Sequence, residues 1–212
     1  MAWMDGARRI GGLAWVLAGL GFQLVWCLAR QVAPGPVTLV LVAAVTLLAV
    51  AVVSRRARGV WLVGWLVAVL LGLDLLGAVA DRFGAWGPPG AVGVSWGSWS
   101  AFVGYTAELL PGPVRDLASV AALGATAAEV LLGVLLLTGW QRRWVGKATA
   151  GLFVVYLVAV LGGVGLDAVA TYALPTLVGG ALLVSACPTR RPAVLPGTPA
   201  LGSAAAVSGG VR

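Results

Sequence analysis

The chain has 212 residues, 60% of them hydrophobic and 10% charged, with a formal net charge of +7. Its apolar residues come in blocks long enough to cross a bilayer rather than in amphipathic stripes, which predicts an all-α, polytopic transmembrane helix bundle and excludes an ordinary soluble domain. The positive balance does not indicate nucleic acid, because Lys and Arg sit at the ends of the apolar blocks, where orientation in a membrane accounts for them.

Six spans are predicted in chain order. A short head with Asp5, Arg8 and Arg9 precedes Ile10 to Ala29, which carries no charge and is long enough to span. A basic head before an apolar run also fits a signal peptide. The run is longer than a usual signal core, however, and Trp26 before Cys27 is a poor lipoprotein cleavage site, so a retained helix is expected. Pro34-Gly35-Pro36 breaks the chain before the second span, Val37 to Ser54, which ends at Arg55, Arg56 and Arg58. Val60 to Ala80 forms the third, interrupted by Asp74. After a long connection, the fourth runs from about Asp116 to Trp140 with Glu129 inside it, and Arg142, Arg143 and Lys147 make a second basic hinge. Ala148 to Leu166 is the fifth span, Asp167 to Thr171 a short turn, and Tyr172 to Cys187 the sixth, with Pro175 in its first turn, where a missing N–H does little harm. Residues 188–212 are rich in Pro, Gly, Ala and Ser without periodicity and read as a disordered tail.

Charge sets the expected orientation. Arg8, Arg9, Arg55, Arg56, Arg58, Arg142, Arg143, Lys147, Arg190, Arg191 and Arg212 fall on one side, against Arg30, Arg82 and Arg115 on the other. The positive-inside rule then places both termini in the cytoplasm and the 81–114 loop outside the membrane.

Asp81 to Leu110 is far longer than the other internal connections, and long connections are usually functional or disordered. Its apolar side chains Trp96, Trp99, Phe102, Val103, Leu109 and Leu110 argue against disorder. From Ser98, a plausible N-cap, apolar residues recur at helical spacing until Pro111, which predicts a short interfacial helix with aromatic residues at headgroup depth. It serves either as an aromatic anchor or as a lid over a cavity between helices. Two acids lie within spans: Glu129, roughly 18 Å from the outer edge at ~1.5 Å per residue, and Asp74, roughly 10 Å down. Such groups are expensive in a bilayer and normally face a bundle interior, a partner or water. Glu129 is therefore the leading functional candidate, against the reading in which it only joins helices through Thr126 or a tyrosine. Asp74 could reach Arg82 or outer water, and Asp81 and Arg82 could form a simple interfacial ion pair. With no histidine in the chain, His-ligated haem or metals and His-based catalytic pairs are excluded, and no metal site is expected. Cys27 and Cys187 read as small buried residues.

The segments DRFGAWGPPG at 81–90, GVSWGSWSAFVGYTAELLP at 93–111, ATAAEVLLG at 125–133 and TGWQRR at 138–143 resemble the DoxX family of bacterial integral membrane proteins. The resemblance covers about residues 60–187 and rests on Asp81, Arg82, Phe83, Gly84, Trp86, Gly87, Trp96, Gly97, Phe102, Tyr105 and Glu129. It implies a four-helix membrane domain at 60–187, preceded by a two-helix segment at 1–59. Two features stand outside the pattern: the two added spans from Ile10 to Ser54, and Asp167, where relatives tend to have a small uncharged turn.

Some relatives are small subunits of quinone-coupled oxidoreductases, including thiosulfate:quinone oxidoreductase. The resemblance thus implies a subunit of a quinone-linked or sulfur-related redox system in the bacterial cytoplasmic membrane, with no intrinsic cofactor, a bound quinone, and a redox partner subunit or a homo-oligomer around it. Glu129 and Arg82 are the expected catalytic pair, and Asp74, Asp81, Trp86, Trp96, Trp99 and Tyr105 the expected ligand-binding residues. A small-molecule or proton-coupled transporter, or a non-catalytic assembly factor, would use the same features.

Overall fold

A computed structural model describes residues 2–31, 34–54 and 57–187, with side chains described from residue 6 onward and not at 57 and 58. The expected tail at 188–212 and the side chains of Arg55, Arg56 and Arg58 lie outside the described residues. All regular structure among the described residues is helical: α1 (Ala2–Arg30), α2 (Pro36–Val53), α3 (Ala57–Arg82), α4 (Trp99–Leu109), a 3₁₀ turn (Gly112–Leu117), α5 (Ala118–Thr138), α6 (Arg142–Gly163), α7 (Leu166–Tyr172) and α8 (Leu174–Ala186). Five helices are long and apolar enough to cross a membrane, and α7 with α8, bent by 42°, would make a sixth span if the pair is counted as one. Exposed Leu and Val on α1, α2, α5 and α6 form the apolar outer surface that a bilayer solvates.

Two sequence boundaries shift. The Asp167–Thr171 turn is helical, as the body of α7, and the break falls instead at Ala173, held at φ +50°. Pro175 then sits in the first turn of α8, as its missing N–H requires. The basic residues after Trp140 belong to the start of α6, while the hinge itself is Gly139 and Gln141, both at positive φ.

α8 is only 13 residues long, about 20 Å at the helical rise and too short to cross the hydrocarbon alone. It is nevertheless the centre of the bundle, packing against α1, α2, α3 and α6 and buried on nearly every side. Small residues make this possible where no hydrophobic effect separates helix from lipid. A Cβ on Gly179 would come within 2.8 Å of the Gly12 carbonyl, so α1 and α8 touch backbone to backbone. α3 and α5 cross in the same way, a Cβ on Gly72 falling 2.9 Å from the Gly133 carbonyl.

One end of the bundle gathers the beginning of α1 and the end of α8, where Arg8 Nη1 donates to the Ser185 carbonyl at 3.0 Å. The opposite end carries the 83–98 loop and α4. There Trp26 Nε1 donates to Asp167 Oδ1 at 3.0 Å and Arg30 lies 3.7 Å from the same oxygen. The first helix and Asp167 are therefore in contact with each other. Cys27 and Cys187 are both free and sit toward opposite ends, separated along α1 by ~30 Å at the helical rise between Arg8, beside α8's end, and Cys27.

Candidate functional site

α3 ends with Asp81 and Arg82, adjacent residues of opposite charge that are both buried and do not pair with each other. Asp81 turns to the loop. Its Oδ2 accepts from the backbone N–H groups of Ser95 and Trp96, each at 2.9 Å, which fixes the returning strand of the loop over the end of α3. The interfacial ion pair that Asp81 and Arg82 could have formed gives way to two different partnerships.

Arg82 turns to the bundle. Its Nη2 lies 2.6 Å from Glu129 Oε2, with both side chains only 2% exposed, and its Nη1 donates to Thr126 Oγ1 at 2.6 Å. Thr126 donates in turn to the Ala122 carbonyl at 2.8 Å, so one hydroxyl links the guanidinium to the α5 backbone. The other Glu129 oxygen accepts from Tyr156 Oη of α6 at 2.5 Å. Thr126 and Glu129 are three residues apart on α5, the spacing that puts both on one helix face. The network therefore joins α3, α5 and α6 through an ion pair and two hydroxyls. The Nη2–Oε2 approach is close but poorly aligned for a hydrogen bond, so charge attraction rather than a directed bond dominates it.

The loop closes this network from the outside. The Arg82 guanidinium carbon lies 3.7 Å from the centre of the Phe102 ring and 5.2 Å from that of Trp96, and the two rings meet edge to face at 5.1 Å. Cation–π contacts of this kind strengthen when water is excluded. Phe102 is available because α4 starts where the sequence predicted, with Ser98 Oγ accepting from the Ala101 N–H. Gly97, at φ +66°, permits the turn before it, since a Cβ there would lie 2.5 Å from the nitrogen of Pro89.

Of the eight predicted site residues, Glu129, Arg82 and Trp96 come together directly. Asp74 is half-buried on α3, close enough to Glu129 for the two charges to interact, with no hydrogen-bond or ion-pair partner among the described residues. It does not contact Arg82. Trp99 stacks on Phe83 at 6.0 Å beside the network. Trp86 does not wall the site: it is exposed, and its Nε1 donates to the Gly77 carbonyl. The Tyr105 hydroxyl is buried near Tyr172 rather than near Glu129. Sequence reasoning missed Tyr156 by number and the role of Phe102. Both lie on elements whose pairing with α5 and with the end of α3 no local pattern reveals.

A groove of about 270 Å³, almost wholly apolar, opens beside the network between Phe83, Trp99, Leu123 and Thr126. Thr126 is thus shared by the groove and the Arg82 network. A larger depression of about 420 Å³, lined by Ala107, Glu108, Arg115 and Gly163, is about as open as the groove and shares no lining residue with the Arg82 network. Among the described residues, no group of three or more Cys, Asp or Glu is arranged to hold a metal ion. Comparison with models of protein families, with curated proteins and with solved structures finds no match for this chain.

Proposed function

We propose that the chain is a DoxX-like membrane subunit of a quinone-linked redox system, with its basic end in the bacterial cytoplasm and the 81–114 loop outside. On this reading it binds a lipophilic, carbonyl-bearing ligand of the quinone class at the Arg82–Glu129 network. The observation that carries the reading is the position of Thr126, which faces an apolar groove on one side and hydrogen-bonds to a fully buried guanidinium on the other. A buried ion pair is weak support for stability, because well-packed apolar residues would serve as well or better. Retaining one at membrane depth, beside a groove that opens between aromatic rings, is what a binding site requires.

The residues fit such a group. A groove of about 270 Å³ is just below the ~300–1,000 Å³ of typical ligand pockets, so it takes a ring and leaves a long apolar tail in the lipid. Phe83 and Trp99 would flank the ring, and the Thr126 hydroxyl, turned from the Ala122 carbonyl, would donate to a ligand carbonyl oxygen with the Arg82 guanidinium behind it. A bound quinone supplies two-electron, two-proton redox chemistry, with its electrons coming from a partner subunit. The chain's own part is protonic and electrostatic. Tyr156 Oη and Glu129 share a hydrogen bond along which a proton can be held or passed. Arg82 stabilises negative charge that develops on the ligand oxygen, while Phe102 and Trp96 keep outer water from the guanidinium.

The test is quinone content after purification in mild detergent. Leu123 is 63% exposed, so Leu123→Trp fills the groove without touching the core and should lower retained quinone severalfold while leaving thermal stability unchanged. If the wild-type protein carries no quinone and a quinone analogue added to it changes neither tryptophan emission nor stability, the reading is wrong.

A further inference from the structure

We propose that the basic end of the bundle carries a phosphate oxyanion site, in which Arg142 and Arg143 hold a phosphate group beside the C-terminus of α8. The starting observation is Arg142, the first residue of α6, which is only 6% exposed and whose Nε and Nη1 have no hydrogen-bond partner among the described residues. The Nε of Arg143 is likewise buried without one. Unsatisfied buried donors cost free energy, and those on a charged group cost most, so they mark a place where a partner is missing.

Among the described residues, neighbouring groups do not supply that partner. The Arg142 guanidinium packs against the hinge, its Nη2 and Nε lying 3.2 and 3.3 Å from where a Cβ on Gly139 would be. It lies within electrostatic reach of Cys187, as does Arg9, while Arg8 and Arg143 face each other as like charges. The guanidinium groups of Arg8, Arg9 and Arg142 therefore gather about the last turn of α8, with Arg143 within reach of Arg8. The carbonyl end of a helix attracts cations, and Arg8 uses it by bonding to the Ser185 carbonyl, but the unpartnered Arg142 and Arg143 donors do not. Carboxylates are scarce here as well. Of the chain's seven acids only Asp5 belongs to this end, and the sequence after Cys187 adds Arg190 and Arg191 without an Asp or Glu.

The chemistry that satisfies such a cluster is a tetrahedral oxyanion, which accepts several N–H bonds from guanidinium forks at once. Its depth also fits. Arg142 opens a 22-residue span, about 33 Å long, and so sits at the membrane boundary. Trp140 and Trp144 are exposed at 56% and 61% on the same turns, and the Lys147 ammonium lies 4.4 Å from the Trp144 ring centre. Aromatic and basic residues together are the usual lining at headgroup level. The phosphate of an anionic phospholipid and a free phosphate share this chemistry.

The experiment uses the full chain, delipidated in detergent, and follows thermal unfolding on addition of phosphatidylglycerol, phosphatidylcholine or inorganic phosphate. Phosphatidylglycerol should stabilise at a concentration about tenfold lower than phosphatidylcholine, which carries the same phosphodiester but adds a quaternary ammonium that the guanidinium cluster repels. Arg143→Gln, at a half-buried position, should remove that preference; Arg142→Gln should do the same where it folds. If inorganic phosphate alone reproduces the effect, the site takes the free anion; if only the anionic lipid acts, it takes the headgroup. Equal responses to the two lipids with none to phosphate would overturn the proposal, as would a preference that survives in Arg143→Gln. Because this end of the molecule is remote from the Arg82 network, the result is independent of quinone binding.

Discussion

Replacing Glu129 by Gln tests whether Arg82, Glu129, Thr126 and Tyr156 form one unit. The amide keeps the size of the side chain and can still accept from Tyr156, but it removes the carboxylate paired with Arg82. Both charged groups are 2% exposed, so the remaining guanidinium has no water to turn to. Breaking a buried pair in this way costs about 3–5 kcal/mol. Arg82 retains Thr126 and the faces of Phe102 and Trp96, which places the expected loss near the lower figure. At ~2–4 °C per kcal/mol for a chain of this size, ~3 kcal/mol corresponds to a fall in Tm of about 6–12 °C. Arg82→Met should cost a similar amount by leaving Glu129 charged and unpaired. The double replacement Arg82→Met, Glu129→Gln removes both charges and should recover most of the loss, leaving about 1–3 kcal/mol for the buried amide N–H group that then has no partner. Unfolding in mixed detergent micelles, followed by the fluorescence of the ten tryptophans, measures all four states of the cycle. If the two single losses add to the double-variant loss within about 0.5 kcal/mol, the groups are not coupled and the reasoning fails.

Tyr156→Phe removes one hydrogen bond to a charged group and should cost about 1.5–3 kcal/mol in the same assay, with no change in the emission of the loop tryptophans. Asp81→Asn weakens the two contacts from Ser95 and Trp96 without touching the bundle. Hydrogen exchange should accelerate at those two amides while the α3 and α5 amides stay protected; unchanged exchange at 95 and 96 would refute the role given to Asp81. Gly97→Ala forces a Cβ against the Pro88–Pro89 backbone at a left-handed position, so the loop should lose its single conformation, at a cost of at least ~1–3 kcal/mol, seen as red-shifted tryptophan emission. For orientation, a cysteine introduced at exposed Ser100, with Cys27 and Cys187 replaced by Ala, should react with an impermeant thiol reagent in intact cells; reaction only after lysis would reverse the proposed topology.

Several features needed nothing beyond the sequence. Uncharged blocks near twenty residues give the apolar helices, because a bilayer leaves an unpaired backbone no alternative. Ser98 and Pro111 delimit α4, because capping and the missing proline N–H are local effects. Glu129 stands out because an acid at that depth needs a partner. The identity of that partner was a tertiary matter. Asp81 and Arg82 look like a pair in sequence, yet one faces the loop amides and the other reaches α5, since adjacent residues on a helix point about 100° apart. Tyr156 and Phe102 come from elements 27 and 20 residues away from Glu129 and Arg82, brought in by the crossing of α3, α5 and α6. The central place of α8 was equally hidden. By composition it is a short apolar helix like any other, and only the fit of its glycines against α1 and its burial among four neighbours make it the core. Arg142 shows the same limit from the other side, because the basic hinge marks a membrane boundary in sequence, while the burial that leaves its donors unmatched exists only once α6 has packed against α8.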